Sequence, residues 1–216
     1  MNIETKQINI ATVHSENILS MAQAKTNDIR LKIIELWNKQ PIISQFPELV
    51  TIIEPTQQIA IIMQGKMVTV SNQEVKEFGA RDLEGFLRLV LKTNELLEKP
   101  ISAFGYNYTF LVPSNASDVA SAIKTKMKAN MSLPSMKISE DDFIAGGVNL
   151  SYMKSVERVQ ISITPQFTDD LKTPALFVGQ CNLHFFKNTF PDLANLLKSY
   201  KESHDYLKGE VNKILG

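Results

Sequence analysis

The stretch that decides the fold lies at residues 191–216 and is PDLANLLKSYKESHDYLKGEVNKILG. Apolar and aromatic side chains recur in it at alternating steps of four and three residues, the spacing of one stripe along an α-helix. Such a stripe has to be covered, either by the chain's own sheet or by another copy of the chain. We predict a long C-terminal helix with a candidate interface made of Leu193, Leu197, Tyr200, His204, Leu207, Val211 and Ile214.

The positions that flank this stripe argue against a parallel coiled coil. Lys201 and Lys208 fall at one flank, and Leu196, Ser203 and Glu210 fall at the other, so the flanks carry no complementary charge pattern. We therefore expect the helix to dock on the chain's own sheet, with part of the stripe left for a partner.

The sequence before this helix predicts mixed secondary structure. Helical spacing indicates helices at 16–39, from Glu74 or Asp82 to Lys99, and at 114–131. Residues rich in Val, Ile, Thr and aromatics predict strands at 7–13, 50–54, 58–63, 67–71, 101–112, 143–153, 157–165 and 175–186. This order predicts an α+β fold with mainly antiparallel sheet, in one or two pieces, and amphipathic helices packed on one face.

The elements divide into two halves that we expect to form one compact body. Residues 1–132 make an N-terminal half of strand, helix, three strands, long helix, strand and helix. Residues 133–142, with a proline and an acidic run, are the predicted linker. Residues 143–216 make a C-terminal half of three strands and a long helix.

The two halves are either related by duplication or similar by chance. Asn107 and Phe110 match Asn182 and Phe185 when the two strands are aligned. The order of three strands and a long helix in the second half resembles that of SecB-type export chaperones. That resemblance covers less than half of the chain and implies a similar arrangement of elements, not a function.

Size and composition bound the function. The 216 residues suit one large domain or two small ones, and 23 basic residues balance 23 acidic ones. Nucleic acid is therefore not favoured as a partner. The longest apolar runs are too short to span a bilayer, so we expect no membrane insertion. The single cysteine, Cys181, and the lack of a signal sequence in the first residues predict a cytoplasmic protein.

No constellation of residues in the sequence indicates catalysis. Cys181 and His184 are three residues apart on a predicted strand, so their side chains point to opposite faces. The acidic run at 140–142 lacks the spacing and the glycine of a calcium loop. We predict no catalytic residues, no metal ligands and no cofactor.

Two further groups of residues raise hypotheses about binding. His204 lies in the apolar stripe and would make assembly depend on pH if the stripe were an interface. Phe104, Tyr106 and Tyr108 share one face of a strand, which we expect to be core and which is otherwise a candidate ligand pocket.

The sequence favours a non-catalytic interaction protein, of the chaperone or adaptor kind, that acts as a homo-oligomer and most simply as a dimer. It would bind another protein through an exposed sheet edge, a groove or a helix. The alternative is a small-molecule-binding protein or an enzyme with its site between sheet and helices.

Overall fold

The computed structural model describes residues 3–73, 80–113, 147–167, 174–187 and 189–215. The predicted helix at 114–131 and the predicted linker at 133–142 lie outside these residues. The helices and strands are, in chain order, β1 Glu4–His14, α1 Leu19–Trp37, β2 Ile42–Phe46, β3 Leu49–Glu54, β4 Ile59–Gln64, β5 Met67–Asn72, α2 Ala80–Leu97, β6 Ile101–Pro113, β7 Val148–Lys154, β8 Glu157–Phe167, β9 Pro174–Phe185 and α3 Leu193–Leu215.

The nine strands form one sheet in the order β2-β3-β4-β5-β1-β6-β9-β8-β7. Every pair of neighbours in it is antiparallel. The predicted α+β class with an antiparallel sheet and a long C-terminal helix is confirmed. Because β6 pairs with β9 along its length, the sheet is continuous between the two halves that the sequence suggested.

Apart from the additional edge strand β2, the strand order is symmetric about the pair β1 and β6. Moving outward from β1 the order is β5, β4, β3, and moving outward from β6 it is β9, β8, β7. Each of these meanders is followed in the chain by a helix, α2 in the first case and α3 in the second. In this repeat of the strand order, β6 corresponds to β1. The residue matches between Asn107 and Asn182 and between Phe110 and Phe185 instead align β6 with β9, which is its direct neighbour in the sheet.

The described helices all pack on one face of the sheet. Side chains alternate along each strand, and one parity is buried beneath the helices, as with Ile8 and Ile10 of β1 or Ile161 and Ile163 of β8. Helix α1 packs against β3 and β4, α2 against β5, and α3 against β6, β8 and β9. The opposite parity forms a second face, which we call the open face.

One strand was not predicted from the sequence. Residues 42–46 form β2, so four strands rather than three lie between the first two helices. Pro41 and Pro47 flank a segment of only five residues with two polar positions, which gives a weak strand signal. The segment is a strand because its Ile43 side chain packs against the core and its backbone pairs with β3.

The buried face of α3 differs in part from the predicted stripe. Tyr200, His204, Leu207 and Val211 are buried, but Leu193, Leu197 and Ile214 are only half-buried. Residues that the heptad spacing omitted are buried with them, namely Leu196, Ser203 and Leu215. A straight helix of 3.6 residues per turn lying on a wide sheet buries a broader face than the narrow seam of a coiled coil.

Helix α3 begins at Leu193, two residues into the stretch quoted at the start of the sequence analysis. Asp192 caps it, because its side-chain Oδ1 accepts a hydrogen bond of 2.9 Å from the Asn195 backbone N–H. The carbonyl of Asp192 accepts from the Leu196 N–H at 2.7 Å. Pro191 therefore lies just before the helix and not in its first turn.

No helix among the described residues is long and apolar enough to cross a membrane.

Candidate functional site

The open face carries two rows of uncharged polar side chains that cross five adjacent strands. Register pairs place the members of each row side by side from β1 through β6, β9 and β8 to β7. The first row is Asn9, Asn107, Asn182, Gln160 and Ser151, and the second row is Gln7, Thr109, Gln180, Ser162 and Asn149. We call these the amide rows.

Hydrogen bonds connect the three asparagines at the centre of the first row. Asn182 Nδ2 donates to Asn107 Oδ1, and Asn107 Nδ2 donates to Asn9 Oδ1. Above them lies an open groove of about 410 Å³ lined by members of both rows. Amides both donate and accept hydrogen bonds, so the groove suits a neutral polar surface such as a peptide better than a charged ligand.

The other half of the open face, across β2 to β5, carries exposed apolar side chains among polar ones such as Ser44, Thr51 and Thr69. Ile42 pairs in register with Ile53, and Ile62 with Thr51. We call the exposed apolar side chains on these strands, β2 to β5, the apolar corner. Its large side chains, each between 38% and 61% exposed, are Ile42, Phe46, Ile53, Ile62 and Met67.

A basic and aromatic group lies at the β8–β9 end of the open face. His184 pairs in register with Arg158, and the His184 and Phe186 rings meet edge to face with centroids 4.5 Å apart. Arg158 lies over the same Phe186 ring at 5.9 Å. Burial, and secondly the positive charge of Arg158, lower the pKa of His184 below its ordinary value.

The candidate pocket residues are in the packed core on the helix side. Phe104, Tyr106 and Tyr108 are at most 2% exposed. The Tyr106 hydroxyl lies 2.8 Å from Ser199 Oγ, and the Tyr108 hydroxyl donates to the Tyr200 carbonyl at 2.7 Å. These side chains anchor α3 to the sheet, so they fill the space in which the pocket hypothesis needed a ligand.

Cys181 and His184 do not form a catalytic pair. Cys181 is buried on the helix side, while His184 is on the open face. Burial raises the pKa of the Cys181 thiol to about 12, which keeps it protonated and a poor nucleophile. Among the described residues no group of three or more His, Cys, Asp or Glu side chains is placed to hold a metal ion.

His204 lies between α3 and the sheet rather than on an exposed surface. Its Nδ1 donates to Asp205 Oδ1 at 3.0 Å, and its Nε2 lies 2.8 Å from the Thr5 hydroxyl, which donates to it when the ring is neutral. The ring also contacts the rings of Tyr108 and Phe110. Burial lowers the pKa of His204, an effect that Asp205 opposes and Lys208 reinforces.

This geometry predicts that the stability of the fold depends on pH. His204 has a pKa of about 6.5 in the unfolded chain and a lower one in the folded protein. As the pH falls below about 6.5, the unfolded chain therefore binds a proton at His204 more readily than the folded protein does, and the free energy of unfolding decreases. We expect the free energy of unfolding to rise between about pH 5 and about pH 7, and His204→Gln to flatten that rise. Urea unfolding at a series of pH values measures both.

The more exposed His184 provides the matched control. Its pKa is also lowered, but His184→Gln should flatten the profile less because the side chain is less deeply buried. A wild-type profile that is flat over this range would contradict the prediction.

A second depression, of about 430 Å³, lies between α1, α2 and the start of α3. Its charged side chains pair on their own helices, as in Lys32 with Glu35 at 2.8 Å and Lys92 with Glu95 at 2.6 Å. Half-buried Leu193, a member of the predicted interface, is at its edge. Because these charged side chains already form ion pairs within their own helices, they are not oriented to bind a ligand in this depression.

The sequence contained part of the signal for the amide rows. Asn107, Thr109, Gln180 and Asn182 have the polar parity of two strands that were predicted correctly. Their alignment into rows depends on register between strands far apart in the chain, which no single strand specifies.

Comparison with solved structures finds chains of similar structure. No protein-family model matches the chain, and no curated protein matches it. A solved structure of TBP from Methanococcus jannaschii is similar with 12% sequence identity and a TM-score of 0.31, and the match covers 94% of this chain and 99% of that chain.

Proposed function

We propose that the chain is a non-catalytic protein-interaction protein, of the chaperone or adaptor kind, that acts as a homo-oligomer and binds a partner protein on its open face. The observation that carries this proposal is the apolar corner. Five large apolar side chains are exposed on four adjacent strands, on a face that no described helix contacts. A group of exposed apolar side chains bordered by polar ones is typical of protein interaction sites.

The amide rows support a protein rather than a nucleic acid as the partner. Nucleic-acid binding draws most of its affinity from lysine and arginine contacts to phosphates. Both amide rows are uncharged, and the whole chain has no net charge. An extended peptide segment could instead bury apolar side chains on the corner and hydrogen-bond to the amides.

The buried residues bear on two further parts of the proposal: where the partner surfaces lie and in which compartment the protein works. The central part of the α3 stripe is covered by the chain's own sheet, so the surfaces for partners lie elsewhere. A single cysteine that is buried and protonated is consistent with a reducing compartment, and we propose the cytoplasm.

Capture from the native host tests the proposal. Tagged wild-type protein is compared with the double variant Ile53→Lys and Ile62→Lys, which places two charges on the apolar corner. Leu31→Lys, on the exposed side of α1, is the control because Leu31 is 44% exposed, like Ile53 at 43%. We expect mass spectrometry to find partner proteins with wild type and the control that the double variant loses.

Binding measurements with the purified partner then give the size of the loss in affinity. Loss of apolar anchors at an interface costs about 1–4 kcal/mol, so titration calorimetry should show affinity for the double variant at least about fivefold weaker. Equal capture by all three proteins would show that the apolar corner is not the binding surface, which would contradict the proposal.

A further inference from the structure

We propose that two copies of the chain pair antiparallel along β2, about a two-fold axis at Ser44, so that the sheet continues from one copy into the other. This inference rests on the homo-oligomer proposed above and names the surface that forms it.

Strand β2 is an open edge. It is the outermost strand on one side of the sheet and pairs only with β3 among the described strands. The outer edge of such a strand presents backbone N–H and C=O groups that can pair with another chain. Natural edges are protected by short strands, charged side chains, prolines or a covering element. Strand β2 is short and is flanked by Pro41 and Pro47, but its own sequence, Ile-Ile-Ser-Gln-Phe, contains no charged residue and no proline.

The edge is fixed in place before any partner binds. The Gln45 side chain donates to Thr26 Oγ1 of α1 at 2.9 Å, and Gln23 of α1 donates to the Phe46 carbonyl at 3.2 Å. Because α1 already holds β2 in its extended form, pairing costs little additional ordering of the chain.

The side chains of β2 are complementary to those of a second antiparallel β2. With Ser44 opposite Ser44 of the other copy, Ile42 lies opposite Phe46 and Phe46 opposite Ile42. These two side chains, 61% and 55% exposed, are on the open face. Pairs of an aromatic and a β-branched residue are favourable across strands. The pairing would join the apolar corners of the two copies into one band.

The charges beside the strand select the antiparallel arrangement. Lys39 and Glu48 lie just outside the two ends of β2, both are exposed, and neither forms an ion pair with any other described residue. Antiparallel pairing about Ser44 brings Glu48 of each copy beside Gln40 and Lys39 of the other. Parallel pairing would place like charges together. This charge complementarity favours a second copy over an unrelated extended segment.

A cysteine placed on the axis tests the geometry. Opposite residues of an antiparallel pair have Cβ atoms about 4.5–5.5 Å apart, close enough for a disulfide after a small adjustment. We expect Ser44→Cys to form a covalent dimer under mild oxidation, seen on a non-reducing gel. Thr51→Cys is the control, because Thr51 is the β3 neighbour of Ser44 on the same face and is similarly half-buried. It should remain uncrosslinked because it lies one strand inside the edge, and native Cys181 is buried.

A charge exchange tests the orientation in solution. We expect Lys39→Glu or Glu48→Lys alone to weaken dimerisation by about 3- to 30-fold, measured by analytical ultracentrifugation, because two pairs per dimer become repulsive. The double variant should return to within about threefold of wild type.

Three results would overturn the inference: a wild-type protein that remains monomeric, crosslinking of Thr51→Cys as efficient as that of Ser44→Cys, or charge variants that dimerise like wild type. Each of them leaves the partner-capture experiment on the Ile53 and Ile62 variant unaffected. The edge pairing can therefore fail while binding on the open face stands.

Discussion

Replacing Leu207 and Val211 together by alanine should lower the free energy of unfolding by about 3–6 kcal/mol, because both side chains are fully buried between α3 and the sheet. Val211 packs directly on the backbone of Gly179, where a Cβ atom would lie 3.6 Å from its Cγ2. A domain of ordinary stability has about 5–15 kcal/mol in total, so the double variant should lose a large part of it. Chemical denaturation followed by circular dichroism measures the loss.

The control for this prediction is the double variant Leu193→Ala and Ile214→Ala on the same helix. Both residues belong to the predicted heptad stripe but are only half-buried, so we expect a loss of about 1–2 kcal/mol. Equal losses in the two double variants would mean that the helix packs through the heptad seam and not through the broader buried face.

Asn94→Ala should lower the free energy of unfolding by about 2–4 kcal/mol, because it removes the centre of a buried polar cluster. Asn94 Oδ1 accepts from the Thr12 hydroxyl at 2.7 Å and lies 3.0 Å from His14 Nε2. Its Nδ2 donates to the Val90 carbonyl at 2.8 Å. The other ring nitrogen of His14 lies 2.8 Å from the Lys99 carbonyl, so the cluster ties β1 to α2 and to the chain that enters β6.

The adjacent residue provides the comparison for this variant. Glu95 is exposed and forms a surface ion pair with Lys92, so Glu95→Ala should change stability by no more than about 0.5 kcal/mol. If the two alanine variants were equally stable, the buried hydrogen bonds of Asn94 would contribute nothing measurable.

Alternation within single strands was sufficient to predict much of the core. The parity of β6 assigned Phe104, Tyr106 and Tyr108 to the core as the favoured interpretation, and the structure buries all three. Parity in β9 likewise separated Cys181 from His184. The alternation of side chains along a strand follows directly from backbone geometry, so it can be read from the sequence without knowing the tertiary contacts.

The features that the sequence did not reveal depend on tertiary contacts. β2 is stabilised by β3 and α1 rather than by its own pattern. Leu196 and Leu215 are buried because α3 lies on a wide sheet, whereas the heptad spacing considered only a narrow seam. The amide rows and the apolar corner exist only once nine strands are in register, and for that reason the open face could not be located from the sequence.

The central position of β1 has a consequence for synthesis of the chain. Its register pairs with β6 join residues from 87 positions apart, His14 with Ile101, to 107 positions apart, Glu4 with Leu111. A nascent chain can pair β1 with β5 well before β6 leaves the ribosome. Until β6 emerges, the edge of β1 that normally pairs with β6 can pair with a strand of another chain. We expect refolding to be slow. When many ribosomes synthesise the chain close to one another, we also expect β6 of one chain to pair with β1 of another.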